Sequence, residues 1–505
     1  MGERLSGILL HPTSLPGRHG VGDLGAGTTR WLDWLAEAGQ GLWQVLPLGP
    51  TGLAGSPYDG PSGFAGDPLL TSLDGLVEQG LLTAESLEPE SPFPTATVEL
   101  ARVRVWKEQR LREAWEELRL RGGEDPLTRE IAAWAGAPQQ EAWCDDWTLF
   151  AALRDRFAAP WVDWPPELRD RRPQAIRRAR AELAGPIGYQ RFVQFLFWRQ
   201  WSAVRRQAAD RGIRILGDLP IYVALDSAEV WCHRQLFDLD PDGRPTHVSG
   251  VPPDAFSEDG QLWGHPLYRW DRLRASGYRW WIDRLRQALL QADRVRIDHF
   301  RAFAAYWQVP ADAATAAAGR WRPGPGREFF TAVERALGDL RLVAEDLGVI
   351  TDDVRELRRE LCLPGMRVLQ FGLEEGEGEH LPDRWEPNLV VYTGTHDSDT
   401  SAGWLAALDP EDRQRVQREL GAEREIHWAM IRAVLTSIAD TAVIPLQDVL
   451  GLGSEGRFNT PGSDAGNWVW RFRWSQLTPE LGRRLRRLSE LSRRASPAGA
   501  GAHPA

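Results

Sequence analysis

Four short stretches of this sequence carry an acidic residue at the end of an apolar run, and their chemistry can be read first. In DRVRIDHF, residues 293–300, Val295 and Ile297 share one parity, and Arg294, Arg296 and Asp298 share the other. In a strand, parity is face. The apolar pair would therefore meet an outer layer, while Arg296 and Asp298 point into the interior. A guanidinium two residues before Asp298 is expected to lower its pKa and hold it ionised, the state a covalent carboxylate nucleophile needs. The same pattern also suits an Arg–Asp pair with a purely structural role. In LRLVAEDLG, residues 340–348, Glu345 and Asp346 follow an apolar run. A Glu beside an ionised Asp has its pKa raised, as a general acid at neutral pH requires. Alternatively, Asp346 caps the next helix. In LVVYTGTHDSDT, residues 389–400, His396 and Asp397 close a third run and suit polar recognition or charge stabilisation. The competing reading makes Asp397 or Asp399 a helix N-cap. In ILGDLPIYV, Asp218 follows Leu216 and Gly217, and a turn or capping Asp is the plainer reading.

Each signal is weak alone. Together they place Asp218, Asp298, Glu345 and Asp397 at four expected strand ends. A retaining glycosidase needs one carboxylate as nucleophile and a second carboxyl as acid and base. A metal-dependent barrel hydrolase is the physical competitor, with His299 and His396 as possible ligands. The sequence has no His-x-His or His-Glu-x-x-His spacing, no G-x-G-x-x-G turn opening a βα unit and no P-loop. Chemistry by side chains alone, with no metal and no cofactor, is therefore the expectation.

These residues need a scaffold that brings several strand ends to one place. Eight apolar runs read as strands: residues 6–10, 42–46, 213–216, 294–297, 341–344, 367–371, 389–393 and 442–446. Helical patterns lie between most of them, as at 29–38, where Trp31, Leu32, Trp34 and Leu35 form a stripe stopped by Gly39. Residues 278–292, 328–337 and 427–438 read similarly. Eight alternating strands and helices predict an α/β fold, a (β/α)₈ TIM barrel whose C-terminal mouth gathers the carboxylates. The second and third strands are far apart, and the span between them holds helical patterns at 100–121, 146–157 and 190–210. Residues 1–494 thus read as one catalytic barrel with a helical insertion at about 68–190. An active-site loop insertion at about 224–270 is rich in Pro, Gly and Asp, and loops of that length are usually functional. The tail at 495–505 reads as disordered.

Composition bounds the partners. The chain has 505 residues with a formal net charge of −11, which argues against a nucleic-acid partner. No apolar run approaches the roughly 18 residues of a membrane span, and the first residues do not read as a secretory signal. Cys144, Cys232 and Cys362 form no disulfide or metal pattern, so a reduced, cytoplasmic location is expected. There is one Lys, Lys107, and 25 Trp against 7 Tyr. Trp31, Trp34, Trp280 and Trp281 lie in helical patterns and read as core. Tyr58 in the loop 56–66 and Trp263 in the loop 249–270 are candidate platforms for sugar rings. Trp468 and Trp470 in the loop 461–471 fit either use.

The blocks SGILLHPTSLPG, WQVLPLGPTG, SPY, GDLPIYV, GVPPDAFSEDGQLWG, RIDHFR, VAEDLG, PGMRVLQFG, YTGTHDSDT and IPLQDVLGLG occur in this order. From about residue 5 to 477 the chain resembles glycoside hydrolase family 77, the amylomaltase or 4-α-glucanotransferase (disproportionating enzyme) family. The resemblance implies a barrel with inserted, mainly helical subdomains and no separate C-terminal β-domain. It implies transfer of α-1,4-glucan segments with retention of configuration, from α-1,4-glucans and malto-oligosaccharides as donors to glucose or maltodextrins as acceptors. By its motifs Asp298 takes the nucleophile's place, Glu345 the acid/base place, and Asp397 the place of a third carboxylate that favours the transition state. Arg296, His299, His396 and Asp218 match substrate contacts around the scissile bond, and Tyr58, Gln261, Trp263 and Asn467 match sugar-contacting loop positions. The chain departs from the family pattern at Ala302, Ser398 and His265, in the stretch after SPY, and in RFN at 457–459. None of these removes a carboxylate; the loop changes bear on acceptor preference and product length. An α-glucan hydrolase with the same site and a non-catalytic glucan-binding protein are the alternatives.

Overall fold

The computed structural model describes residues 4–52, 54–253, 258–376, 378–421, 425–463 and 465–496. In chain order its strands are β1 (Leu5–Leu9), β2 (Leu42–Gln44), β3 (Arg214–Leu219), β4 (His247–Val251), β5 (Gln261–Pro266), β6 (Arg294–Ile297), β7 (Ala305–Pro310), β8 (Arg320–Pro323), β9 (Leu342–Ala344), β10 (Gly365–Val368), β11 (Leu389–Tyr392) and β12 (Thr441–Pro445). Eight of them form one sheet in the order β10-β11-β12-β1-β2-β3-β6-β9, and every pairing is parallel. Chain order is thus spatial order around a nearly closed barrel, the arrangement expected from alternating strands and helices. All eight anticipated strands are present, displaced by at most a few residues.

Valine, isoleucine and leucine dominate these strands because both faces are covered. Val295, Ile297, Val343, Val390, Val391, Val443 and Ile444 are all buried. The inward positions carry polar side chains that bond across the barrel. Tyr392 Oη on β11 donates to Gln44 Oε1 on β2 at 2.9 Å. The helix Ala26–Glu37 presents Trp31, Leu32, Trp34 and Leu35 to the core and ends ahead of Gly39, at φ +71°, where a glycine removes the Cβ penalty. Trp31, Trp34, Trp280 and Trp281 are all buried, and so is Trp470. A buried indole removes about 200 Å² from water, roughly 5 kcal/mol of transfer free energy.

The helices Leu100–Arg121, Pro126–Ala135, Cys144–Phe157, Pro173–Glu182 and Ala184–Asp210 fill the span between β2 and β3. The last of these, 27 residues long, belongs to both layers. Its first half buries Phe192 and Leu196 in the inserted cluster. Its second half packs on the barrel, where Trp201 Nε1 donates to the carbonyl of Gln291 at 2.9 Å. The second insertion holds the short helix Ala228–Cys232 and then two strands. β4 and β5 join β7 and β8 in a four-stranded antiparallel sheet, order β5-β4-β7-β8. The first insertion is helical as expected, while the segment expected as a loop contributes two of these strands. The sheet's strands hold Gly, Pro and Arg with no alternation (RWRP in β8 is exposed throughout), so no period-2 signal marks them. Part of the 224–270 segment, residues 254–257, lies outside the described residues.

After β12 the chain turns through the helix Leu446–Leu450 and returns in Pro479–Leu491 against Ala26–Glu37, where Arg486 Nε donates to the Glu37 carbonyl at 2.6 Å. Residues 495 and 496 of the expected tail are still bonded: Ser496 N–H donates to the Gly39 carbonyl at 3.1 Å. Residues 497–505 lie outside the described residues. No described helix is long and apolar enough to cross a membrane.

Candidate active site

The parallel register between β3 and β6 sets Asp218 opposite Arg296. Cross-strand neighbours share a face, so both side chains enter the barrel. Arg296 Nη1 lies 2.7 Å from each carboxylate oxygen of Asp218, and Nη2 lies 3.0 Å from Asp298 Oδ1. Asp218 is therefore neither a turn nor a capping residue but an inward strand residue, nearly fully buried. Its second oxygen also accepts the Tyr58 hydroxyl at 2.6 Å. Burial, together with the negative charge of Asp218, holds the Tyr58 hydroxyl well above its usual range, so it stays protonated and donates.

Asp298 ends β6 at the mouth. Burial pushes its pKa up; Arg296 pulls it down, and Glu345, Asp218 and Asp397 push it up again, for a net rise. The expectation that Arg296 alone holds Asp298 ionised is thus corrected. The guanidinium is shared with Asp218, and burial outweighs it.

The next residue, His299, adopts φ +50°, a left-handed conformation uncommon outside glycine. That turn aims the His299 N–H at Glu345 Oε2, 2.5 Å away, while Leu347 N–H donates to Oε1 at 3.1 Å. Burial is the largest influence raising Glu345, opposed by Arg296 and the two main-chain donors; Asp346 contributes last. The adjacent aspartate therefore does not supply the main shift, in contrast to the reading from sequence. Nor does Asp346 cap a helix. It is buried between Arg358 and Arg367.

Asp397 follows β11. The following helix, Ser401–Ala407, is capped by Thr400, whose side chain accepts from Gly403 N–H; neither Asp397 nor Asp399 is the cap. Asn459 Nδ2 donates to Asp397 Oδ1 at 2.6 Å, and Arg457 Nη2 donates to the Asp397 carbonyl at 2.9 Å. His396 Nε2 lies 3.3 Å from Asp397 Oδ2. Burial lowers His396, and it lowers His299 to about 4, so both imidazoles are neutral near pH 7. Asn459 and Arg457 were not singled out as site residues; the motif RFN was the available signal.

Two aromatic walls flank the carboxylates. On one side Tyr58 stacks on His396 with centroids 5.2 Å apart and planes 12° apart, and Trp468 lies 6.0 Å from Tyr58. Opposite, Trp263 on β5 meets His299 edge-on at 4.8 Å and donates through Nε1 to Gln261 Oε1 at 3.1 Å. Asn467 is placed differently. Its side chain is spent inside its own loop, accepting from Thr460 N–H at 2.9 Å and donating to the Ser463 carbonyl at 2.7 Å. Trp468, left undecided by sequence, belongs to the site wall. Among the described residues no three His, Cys, Asp or Glu side chains converge as a metal-holding group.

The chain is similar to known proteins along nearly its whole length. A family model described as 4-alpha-glucanotransferase matches residues 10–478. A 4-alpha-glucanotransferase of Thermus thermophilus is 46% identical over 503 residues, spanning 97% of this chain and 99% of that protein. Another from Synechocystis sp. is 46% identical over 496 residues, spanning 97% and 98%. Among solved structures, the amylomaltase from Streptococcus agalactiae in complex with acarbose superposes with a TM-score of 0.94 at 33% identity, covering 98% of this chain and all of that one.

Proposed function

The chain belongs to the 4-alpha-glucanotransferase family, glycoside hydrolase family 77, and on that premise we propose that Asp298, Glu345 and Asp397 carry out its transfer of α-1,4-glucan segments by double displacement. Its activity is that of a 4-alpha-glucanotransferase. The observation that carries the residue assignment is the cluster itself: Asp298 and Glu345 end adjacent strands, and one main-chain N–H, that of His299, joins the turn after the first to the carboxyl of the second.

In the first half, Asp298 in its ionised form, which Arg296 favours against burial, attacks the anomeric carbon of the donor. Glu345 gives its proton to the departing glycosidic oxygen, which leaves as the 4-hydroxyl of the released chain. A protonated Glu345 must surrender one of its two main-chain bonds, because a carboxyl O–H oxygen accepts poorly. In the second half Glu345 takes the proton from an acceptor's 4-hydroxyl, whose oxygen attacks from the face the first leaving group vacated, opposite Asp298, and breaks the bond to that carboxylate. Two inversions give retention. The accepted N–H bonds then suit the carboxylate that acts as base. Asp397, fixed by Asn459 and Arg457, holds substrate hydroxyls more tightly as the sugar ring flattens. The neutral His299 and His396, the Arg296–Asp218 pair and the Tyr58 face bind the ring around the broken bond, and Gln261 and Trp263 serve the more distant sugars.

Donors are α-1,4-glucans and malto-oligosaccharides; acceptors are glucose or maltodextrins. Trp263, set against His299, holds the acceptor and limits water entry. Residues 1–494 act as one catalytic unit in the cytoplasm, with 68–190 and 224–270 as insertions. Incubation with maltotriose tests the reading. Glucose with maltopentaose and longer products supports transfer. Maltose and glucose alone would favour the hydrolase, and no turnover the binding protein.

A further inference from the structure

The barrel is not closed uniformly. Between β9 and β10, among the described residues, one main-chain bond crosses: Ala344 N–H donates to the Pro364 carbonyl at 2.8 Å. The next rung of a parallel ladder would run from Met366 N–H back to the main chain of β9. Instead Met366 N–H donates to Asp346 Oδ1 at 2.7 Å. A side chain has replaced a rung, one residue past Glu345. The space for it comes from Gly365, where a Cβ would lie 2.7 Å from Asp346 Oδ2 and 2.9 Å from Oδ1. The inserted carboxylate is matched by two guanidiniums: Arg367 Nη1 and Arg358 Nε each lie 3.3 Å from Oδ2, and all three side chains are buried. Outward from the seam, Arg358 pairs with Glu386 and Arg367 with Glu379, each at 2.8 Å.

We propose that Asp346 is a positioning residue for the transfer reaction: it splits the barrel seam beside Glu345, turns the acid/base side chain to the mouth, and screens it from the buried charges of Arg358 and Arg367. The first part follows from the ladder. If Met366 bonded to the β9 main chain, β9 would continue as strand, and Glu345 and Asp346 would be fixed to opposite faces by parity. The insertion ends the strand at Ala344, so the following turn is free to bring both Glu345 oxygens onto the N–H groups of His299 and Leu347. The second part is charge accounting. The charged groups acting on Glu345 are Arg296 and Asp298, on and just past β6, and Asp346 on its own turn. Behind Asp346 stand the two guanidiniums, with Glu379 and Glu386 beyond them. Without the Asp346 charge, the two cations keep only their outward glutamates, and their field on the seam side of Glu345 favours its ionised form, which disables the general acid.

The inference rests on Glu345 as the acid/base, and opposite-signed variants test it. Asp346→Asn keeps an oxygen for Met366 N–H and removes the charge. Arg358→Gln removes one cation and leaves Asp346 paired with Arg367. In maltotriose transfer, Asp346→Asn should move the alkaline limb of the kcat/KM profile about one pH unit lower, and Arg358→Gln should move it higher. KM should change less than threefold for either, an order-of-magnitude expectation for a group that does not touch substrate. Thermal midpoints lowered with both limbs unmoved would overturn the proposal and leave Asp346 a structural brace. If Asp346→Asn does not fold, the upward shift in Arg358→Gln decides alone, and an unmoved limb there overturns it. Glu345→Gln separates the premise: retained maltotriose turnover in that variant refutes the acid/base reading itself.

Discussion

Arg296 places one nitrogen 2.7 Å from both carboxylate oxygens of Asp218, its direct cross-strand partner. The pair is buried, and the other terminal nitrogen of the same guanidinium reaches Asp298. A single cation therefore orients a ring-binding carboxylate and a reacting one, and its planar fork is what allows this.

A lysine cannot serve both partners, being a point charge on a flexible stem. Arg296→Lys is expected to lower kcat/KM for maltotriose by at least about 100-fold, roughly 2.7 kcal/mol of transition-state stabilisation. The melting temperature should fall as well, since a buried Asp218 loses a bonded partner. Steady-state kinetics and thermal unfolding check both outcomes; near-parental kcat/KM would mean that Arg296 is not needed to orient Asp298.

Asn459 reaches Asp397 from a loop 62 residues further along the chain. Asn459→Ala leaves one oxygen of that carboxylate without its fixed donor. A kcat lower by about 10- to 100-fold with KM changed less is expected, because the contact is assigned to the transition state. A rise in KM alone would place Asn459 in ground-state binding.

Burial raises the Asp298 carboxyl above its unfolded value of about 4. Below about pH 4 the group is protonated in both states and costs nothing extra. As pH rises through the folded pKa, the ionised form is penalised in the fold and stability is lost. Asp298→Asn removes that penalty. The variant should be more stable than the parent at pH 7–8, with the gap closing toward pH 4. Thermal unfolding across this range tests it, and an offset independent of pH would contradict it. Transfer activity should depend on pH in a bell shape, whose two limbs belong to the Asp298–Glu345 pair and not to either residue.

Trp263 stands edge-on to His299 at 4.8 Å on an insertion strand outside the barrel. Trp263→Ala should raise hydrolysis relative to transfer several-fold, a rough expectation for opening one wall of the site to water. Comparing free glucose with longer products from maltotriose measures the ratio; no change removes Trp263 from water exclusion.

The barrel and its carboxylates were legible because two signals coincide there. Buried parallel strands leave short apolar runs, and an inward residue at a strand end must be polar to face the mouth, so Asp298 and Arg296 could be assigned by parity alone. Contacts made across long gaps left no such trace. Asn459 arrives on an irregular loop, and only the resemblance drew attention to its motif. The antiparallel sheet was missed because its short strands, broken by Gly and Pro, carry no sustained period-2 pattern. Adjacency told only part of the story at Asp346: its charge does raise Glu345, but burial is the larger cause, and the seam between β9 and β10 also sets the carboxylate against Arg358 and Arg367. At Asn467 a polar residue beside tryptophans matched a sugar-contact pattern, yet its hydrogen bonds close its own loop.

The most direct measurement is to trap the intermediate. Glu345→Gln should be slowed at least about 1,000-fold on maltotriose, since it cannot protonate the leaving oxygen. It should still react with an α-maltosyl fluoride, whose leaving group needs no proton, and then stall for want of a base. Mass spectrometry of digested protein should find the maltosyl adduct on the peptide containing Asp298, at that residue. An adduct on Asp218 or Asp397, or release of product with inverted configuration and no adduct, would contradict the assignment of Asp298 as nucleophile.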